Sequence, residues 1–135
     1  MKYDCLFIGN AIVDILTDVS FEYMHDQGIE PGSWRPVEKE EIEKLQSAIS
    51  NVTVASGGSA ANSAVGLSFL GGSSAFIGRV KNDNLGLDYI KDMDDAGVKF
   101  SSNPSKSGLD TGRCLVYVTP DAQRSMRTYL GAASQ

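Results

Sequence analysis

Apolar positions run unbroken from Cys5 to Ile8 and stop at Gly9-Asn10, the pattern of a short strand buried on both faces. From Val13 to Val19 the pattern alternates, with Val13, Ile15 and Thr17 set against Asp14, Leu16 and Asp18, and predicts a second strand. Gly28 to Pro36 reads as a loop with a short strand near Trp34. The period then lengthens. Ile42, Leu45 and Ile49 recur at helical spacing behind Glu38, Glu40 and Glu41, acids that suit a positive helix start. Val52 to Ala55 predicts a strand. Ser59 to Leu70 predicts a helix with Ala60, Ala64, Leu67 and Leu70 on its inner face, stopped by Gly71-Gly72. Ser74 to Val80 is a further strand. Asn84 to Ala96 is a helix with Tyr89, Ile90, Met93 and Ala96 inward and Gly97 as its stop. After that the period returns to two: Leu115 to Thr119 and Arg124 to Leu130 flank Pro120-Asp121-Ala122-Gln123, which predicts a hairpin.

The early order of strands and helices is that of a parallel sheet covered by helices, an α/β fold. The strands near Asp18 and Trp34 and the late hairpin fit a separate small sheet. Ser101 to Gly108 is the most linker-like segment, and there is no internal repeat. With 41% hydrophobic and 21% charged residues the chain is globular, and 135 residues fit one domain.

A net charge of −5 with scattered lysines argues against a nucleic-acid partner. Two isolated cysteines, Cys5 and Cys114, suggest neither a disulfide scaffold nor a zinc site, and read as small buried apolar residues. No apolar run approaches a membrane span, and Asp4 interrupts any secretory leader, so the expected location is the cytoplasm.

The chemistry concentrates at two strand ends, Gly9-Asn10 and Gly57-Gly58, where open α/β sheets place their ligands. Glycine lets a ligand come close to the backbone, and the helix from Ser59 offers unpaired N–H groups. The stretch Gly57-Gly58-Ser59-Ala60-Ala61-Asn62 lacks the dinucleotide pattern G-x-G-x-x-G, and no G-x-x-x-x-G-K-[ST] string occurs. A pyrophosphate cradle is therefore not indicated. Asp14 has the chemistry to accept from two adjacent hydroxyls of a sugar, and Asn10 and Asn62 to orient the same ring. Asp14 reads equally well as a solvated strand position, and Asn62, taken as buried, as the partner of a backbone group.

Gly9-Asn10-Ala11-Ile12-Val13-Asp14, then Gly57-Gly58-Ser59-Ala60-Ala61-Asn62-Ser63-Ala64, Leu70-Gly71-Gly72 and Gly78 resemble the PfkB/ribokinase-like carbohydrate kinases. Asp83 and Gly86 match that family's D-x-x-G element, and Thr111-Gly112 with the hairpin match its sugar pocket and lid. The G-N-x-x-x-D pattern with G-G-S looks most similar to adenosine-kinase-like members, and the Arg124–Ala132 ending is similar to bacterial adenosine-kinase-type or general sugar kinase sequences. The resemblance implies a ribokinase-like, Rossmann-type α/β/α sandwich with a small β lid. Residues 1–135 would be its N-terminal portion, with lid strands roughly within 15–37 and 98–130. It implies transfer of the ATP γ-phosphoryl to a primary hydroxyl with Mg2+. The acceptor would be adenosine, then another nucleoside, then ribose- or fructose-type sugars. By the same resemblance Asn10, Asp14, Gly57, Gly58, Ser59 and Asn62 would bind substrate, and Arg127 or Arg124 would face the lid pocket.

The family's catalytic aspartate lies in a Gly-Ala-Gly-Asp stretch, and none occurs here; Gly131-Ala132-Ala133-Ser134 carries no acid. The chain thus has no catalytic residue of that kind, lacks most of the ATP site and is expected to be inactive alone. The alternative is a non-catalytic sugar- or nucleoside-binding module, or an inactive truncated fragment. A sheet edge or the lid is expected to be exposed and to favour self-association. His25 reads as solvated in a polar loop. Trp34 is expected to pack the lid against the core, with stacking on a base as the other option, and Tyr117 and Met126 are expected to pack. The acids Asp92, Asp94 and Asp95 read as an exposed helix face, and no metal site is indicated.

Overall fold

A computed structural model describes residues 2–135. The chain forms two compact units, one comprising Met1–Val13, Ser56–Gly112 and Leu130–Gln135, the other Asp14–Ala55 and Arg113–Tyr129. The strands are β1 (Cys5–Ile8), β2 (Ile12–Asp18), β3 (Trp34–Pro36), β4 (Thr53–Gly57), β5 (Ser74–Ile77), β6 (Val98–Phe100), β7 (Gly112–Val118) and β8 (Arg124–Tyr129). The helices are α1 (Phe21–Asp26), α2 (Lys39–Ser47), α3 (Ser59–Phe69) and α4 (Asn84–Asp95), and a 3-10 turn spans Gly131–Ser134. No helix among the described residues is long and apolar enough to cross a membrane.

In the first unit β1, β5 and β6 form a parallel sheet in that order. Cys5, Phe7, Ser74, Phe76, Val98 and Phe100 share one face by register. Both helices pack there: the Ser74 hydroxyl donates to the Ala64 carbonyl of α3 at 3.0 Å, and the Phe76, Tyr89 and Phe100 rings cluster with centroids about 6 Å apart. The opposite face carries Leu6, Ile8 and Ile77, which stay exposed, so β1 is not buried on both faces as its apolar run predicts.

The inner face of α3 is rotated from the expected one. Ala61 and Ala64 are buried, Ala60 and Leu67 are half-buried, and Leu70 is exposed past the helix end. In α4, Tyr89 and Met93 are buried as expected, while Ile90 and Ala96 are half-buried. Gly97 closes this helix at φ +76°, a left-handed stop that favours glycine. β5 ends at Ile77, short of Val80, because Gly78 starts a loop.

The five-stranded sheet has the order β3-β8-β7-β2-β4, with β7 and β8 antiparallel and β3 parallel to β8. In the second unit Ile15, Met24, Ile42, Leu115 and Tyr117 form the core. α2 begins with Glu40 and Glu41 in its first turn and Lys44 in its last, charges that complement the helix ends. Ile49 lies beyond its end. α1, unforeseen from the sequence, is capped by Ser20, whose hydroxyl accepts from the Tyr23 N–H at 3.0 Å. His25 therefore sits in a helix and not in a loop, though it is exposed as expected.

Trp34 does not pack inward. It is 57% exposed on the edge strand β3, and its indole N–H donates to the Thr128 hydroxyl at 3.1 Å. Tyr117 is fully buried, and burial pushes its phenol up to about 12. Met126 is half-buried. Cys114 is buried, and Cys5 only half-buried.

The hairpin turn holds Ala122 at φ +63°, a left-handed conformation that a side chain opposes. Asp121 braces the turn by accepting from the Thr119 hydroxyl at 2.6 Å and the Gln123 N–H at 3.3 Å. Ala122→Gly is expected to stabilise the chain by about 1 kcal/mol, seen as a higher urea midpoint at unchanged slope.

Candidate functional site

In the first unit the glycine pair is shaped by close backbone approach. Gly58 sits at φ +101°, and a Cβ there would lie 2.3 Å from the backbone oxygen of Asn10. A Cβ on Gly9 would lie 2.8 Å from the Ala60 Cβ, so the end of β1 presses against the start of α3. The Gly57 carbonyl accepts the Tyr89 hydroxyl at 2.9 Å, anchoring the strand end to α4. The Gly58 carbonyl accepts the Asn62 N–H at 2.9 Å and begins the helix. No side chain caps that first turn.

Asn10, Ser59 and Asn62 are exposed, so Asn62 is not buried: its position on α3 turns away from the Ala61 and Ala64 face. Neither the Asn10 nor the Asn62 side-chain amide has a hydrogen-bond partner among the described residues, which removes the reading of Asn62 as a backbone partner. The Ser59 hydroxyl and the Asn62 amide are thus exposed in the uncapped first turn of α3, and the Asn10 amide is exposed after β1, whose end meets that turn through the Asn10 carbonyl. Such groups suit a ligand rich in hydroxyls.

The D-x-x-G element has a structural role in the same unit. Asp83 caps α4 by accepting from the Gly86 N–H at 2.9 Å. It also accepts from the Thr111 N–H at 3.0 Å and the Thr111 hydroxyl at 2.6 Å. A Cβ on Gly86 would lie 2.0 Å from the Lys81 carbonyl.

In the second unit Asp14 is half-buried on β2, and no donor reaches its carboxylate among the described residues. Burial holds its carboxyl above the usual carboxylate range, with the Arg124 charge opposing the shift. A half-buried carboxylate without protein donors keeps its oxygens free to accept from hydroxyl groups. Arg127, expected at the lid pocket, lies on β8. It is only 5% exposed, and its Nη1 donates to the Ser33 hydroxyl at 3.0 Å and the Met126 carbonyl at 2.9 Å. Arg124 is exposed.

The acids of α4 are exposed as expected. Asp92 accepts the Ser56 hydroxyl at 2.6 Å, and Asp95 pairs with Lys91. Among the described residues no three His, Cys, Asp or Glu side chains gather in a way that could hold a metal ion.

Residues 34–135 match the family described as pfkB family carbohydrate kinase. An adenosine kinase from Sinorhizobium meliloti superposes with a TM-score of 0.92 at 40% identity, covering 100% of this chain and 41% of that one. A probable sugar kinase from Rhizobium etli CFN 42 superposes at 0.89 with 39% identity, covering 97% of this chain and 40% of that one. Probable fructokinase-6, chloroplastic, of Arabidopsis thaliana is 37% identical over 75 residues, 56% of this chain and 20% of its own length. The chain thus spans about two fifths of these two structures and a fifth of that curated relative.

Proposed function

From a chain that belongs to the pfkB family of carbohydrate kinases and has their ribokinase-like α/β fold, we propose a binding role for the hydroxyl-bearing acceptor of phosphoryl transfer. The acceptor is a nucleoside, adenosine first, or a ribose- or fructose-type sugar. The observation that supports this reading is the uncapped start of α3 after Gly57-Gly58, with the exposed Asn62 amide in its first turn and the exposed Asn10 amide after β1, neither with a hydrogen-bond partner among the described residues. Ser59 contributes its exposed hydroxyl. In the other unit, Asp14 is the proposed acceptor for sugar hydroxyls.

Membership of a kinase family implies ATP, usually with Mg2+, as the phosphoryl donor system. The described residues offer no acidic cluster for the ion, and the sequence has no Gly-Ala-Gly-Asp stretch. The residues present therefore do not fit the donor side, and the role proposed for this polypeptide alone is binding without turnover. A non-catalytic binding module would use the same turn. ADP release from ATP, Mg2+ and adenosine separates the two readings for any longer form of the protein: turnover supports the kinase, and binding without turnover supports the module.

Asp14→Asn tests the acceptor role. Hydrogen bonds to a charged group contribute about 1.5–3 kcal/mol each, so affinity for adenosine or the bound sugar is expected to fall at least about tenfold by calorimetry. The same variant is expected to be more stable at neutral pH. A carboxyl raised in the folded state contributes fully below its unfolded value and loses that contribution as pH rises through the folded one. Wild-type stability from this group therefore declines as the pH climbs from just below 4, and the amide removes the decline. Unchanged affinity would take Asp14 out of the site.

A further inference from the structure

Tyr89 of α4 is fully buried in the first unit, with its ring against those of Phe76 and Phe100. The same cluster lies under the end of β1, where a Cβ on Gly9 would meet the Phe76 ring at 3.9 Å. A phenylalanine at position 89 would fill this place equally well. The hydroxyl is what it would lack, and a buried hydroxyl is costly unless it is bonded. The Tyr89 hydroxyl donates to the Gly57 carbonyl at 2.9 Å. It also stands close to the next residue, since a Cβ on Gly58 would lie 3.7 Å from the phenol oxygen. One turn further along the same face of α4, Asp92 accepts the Ser56 hydroxyl at 2.6 Å. The last two residues of β4 are thus tied to one helix face.

That tie fixes a peptide plane. No cis peptide bond occurs among the described residues, and in a planar trans peptide the C=O and the N–H point in opposite directions. With the Gly57 carbonyl turned to the buried phenol, the Gly58 N–H of the same peptide is turned away from α4. The next plane is fixed as well, because the Gly58 carbonyl accepts the Asn62 N–H at 2.9 Å. Between two glycines a peptide unit meets little steric resistance to reorientation, so its direction depends on what its polar atoms bond. The phenol supplies that bond from inside the fold, where water does not compete for the carbonyl.

We propose that Tyr89 is a positioning residue for the acceptor turn: its hydroxyl holds the Gly57–Gly58 peptide in the orientation the turn uses for binding. The inference rests on the acceptor-binding role proposed above. Tyr89 acts through the backbone of Gly57 and not by contact with the acceptor.

Tyr89→Phe in the 135-residue chain tests it, because the change removes one oxygen and keeps the ring. The carbonyl carbon resonance of Gly57 is expected to move upfield, and the amides of Gly58 and Ser59 to shift with it. One buried hydrogen bond biases a two-state balance by about three- to tenfold. Affinity for adenosine, ribose or fructose, whichever the wild type binds, is therefore expected to fall by about three- to tenfold in calorimetry. Val98→Ala, which trims a buried side chain on β6 of the same unit, is the stability control. It is expected to lower the urea midpoint and to leave both the Gly57 resonance and the affinity unchanged. Resonances of Gly57 and Gly58 that stay in place in Tyr89→Phe overturn the positioning role whether or not a ligand binds. An affinity unchanged in Tyr89→Phe, or reduced no more than in Val98→Ala, also overturns it and leaves the acceptor reading standing. Resonances that move in a chain that ignores all three ligands keep Tyr89 as the pin of this peptide and overturn the acceptor reading.

Discussion

Gly58→Ala is expected to lower stability by more than about 3 kcal/mol. Two penalties combine at this position. The backbone sits at φ +101° and ψ 127°, which a side chain opposes, and the new Cβ would stand 2.3 Å from the Asn10 carbonyl oxygen. That oxygen belongs to backbone and cannot rotate away. Relief requires the end of β1 to separate from the start of α3, where Gly9 and Ala60 are also in tight contact. Urea unfolding reads the loss of stability. Amide shifts confined to residues near Asn10 and Ser59 would show the turn opening in whatever folded population remains. Gly66→Ala on the same helix is the control: it has open space around it and a helical backbone, so it is expected to be neutral or slightly stabilising.

Asp83→Ala is expected to cost about 2–4 kcal/mol, the sum of a lost helix cap and of buried donors left unpaired. The carboxylate accepts three hydrogen bonds, from the Gly86 N–H and from the N–H and hydroxyl of Thr111. Thr111 is fully buried, and its hydroxyl oxygen also accepts from the Lys81 N–H at 3.0 Å. Removing the acid strands donors where water does not reach. The double variant Asp83→Ala, Thr111→Val is expected to cost less than the two single changes added together, because both break one network. Simple additivity in denaturant midpoints would contradict that network.

These two sites show what the sequence makes legible. The glycine pair reads in the sequence as room for a ligand near the backbone, whereas at Gly58 the structure fills that room with the Asn10 carbonyl. The order of long elements follows from periodicity, since α2, α3 and α4 each repeat their apolar positions over two turns or more. α1 is missed because six residues hold a single buried position, Met24, and only Ser20 ahead of it signals a start. β6 is missed because three residues, Val98–Phe100, are too short to show alternation, and the loop after them reads as a linker. Asn62 reads as buried because alanines surround it. On a helix a rotation of one residue decides which of them face the sheet, and Ala61 and Ala64 do. Trp34 reads as a packing residue by its size, yet β3 is an edge strand and leaves the indole out.

The central claim is that the turn joining β4 to α3, with the end of β1 against it, binds a hydroxyl-rich acceptor. Titration of the 15N-labelled chain with adenosine, and in parallel with ribose and fructose, tests it most directly. The account predicts saturable shifts, for at least one of these ligands, centred on the amides of Asn10, Gly58, Ser59 and Asn62. No saturable change at these positions up to millimolar ligand, in a chain shown to be folded by its dispersed amide spectrum, would contradict it.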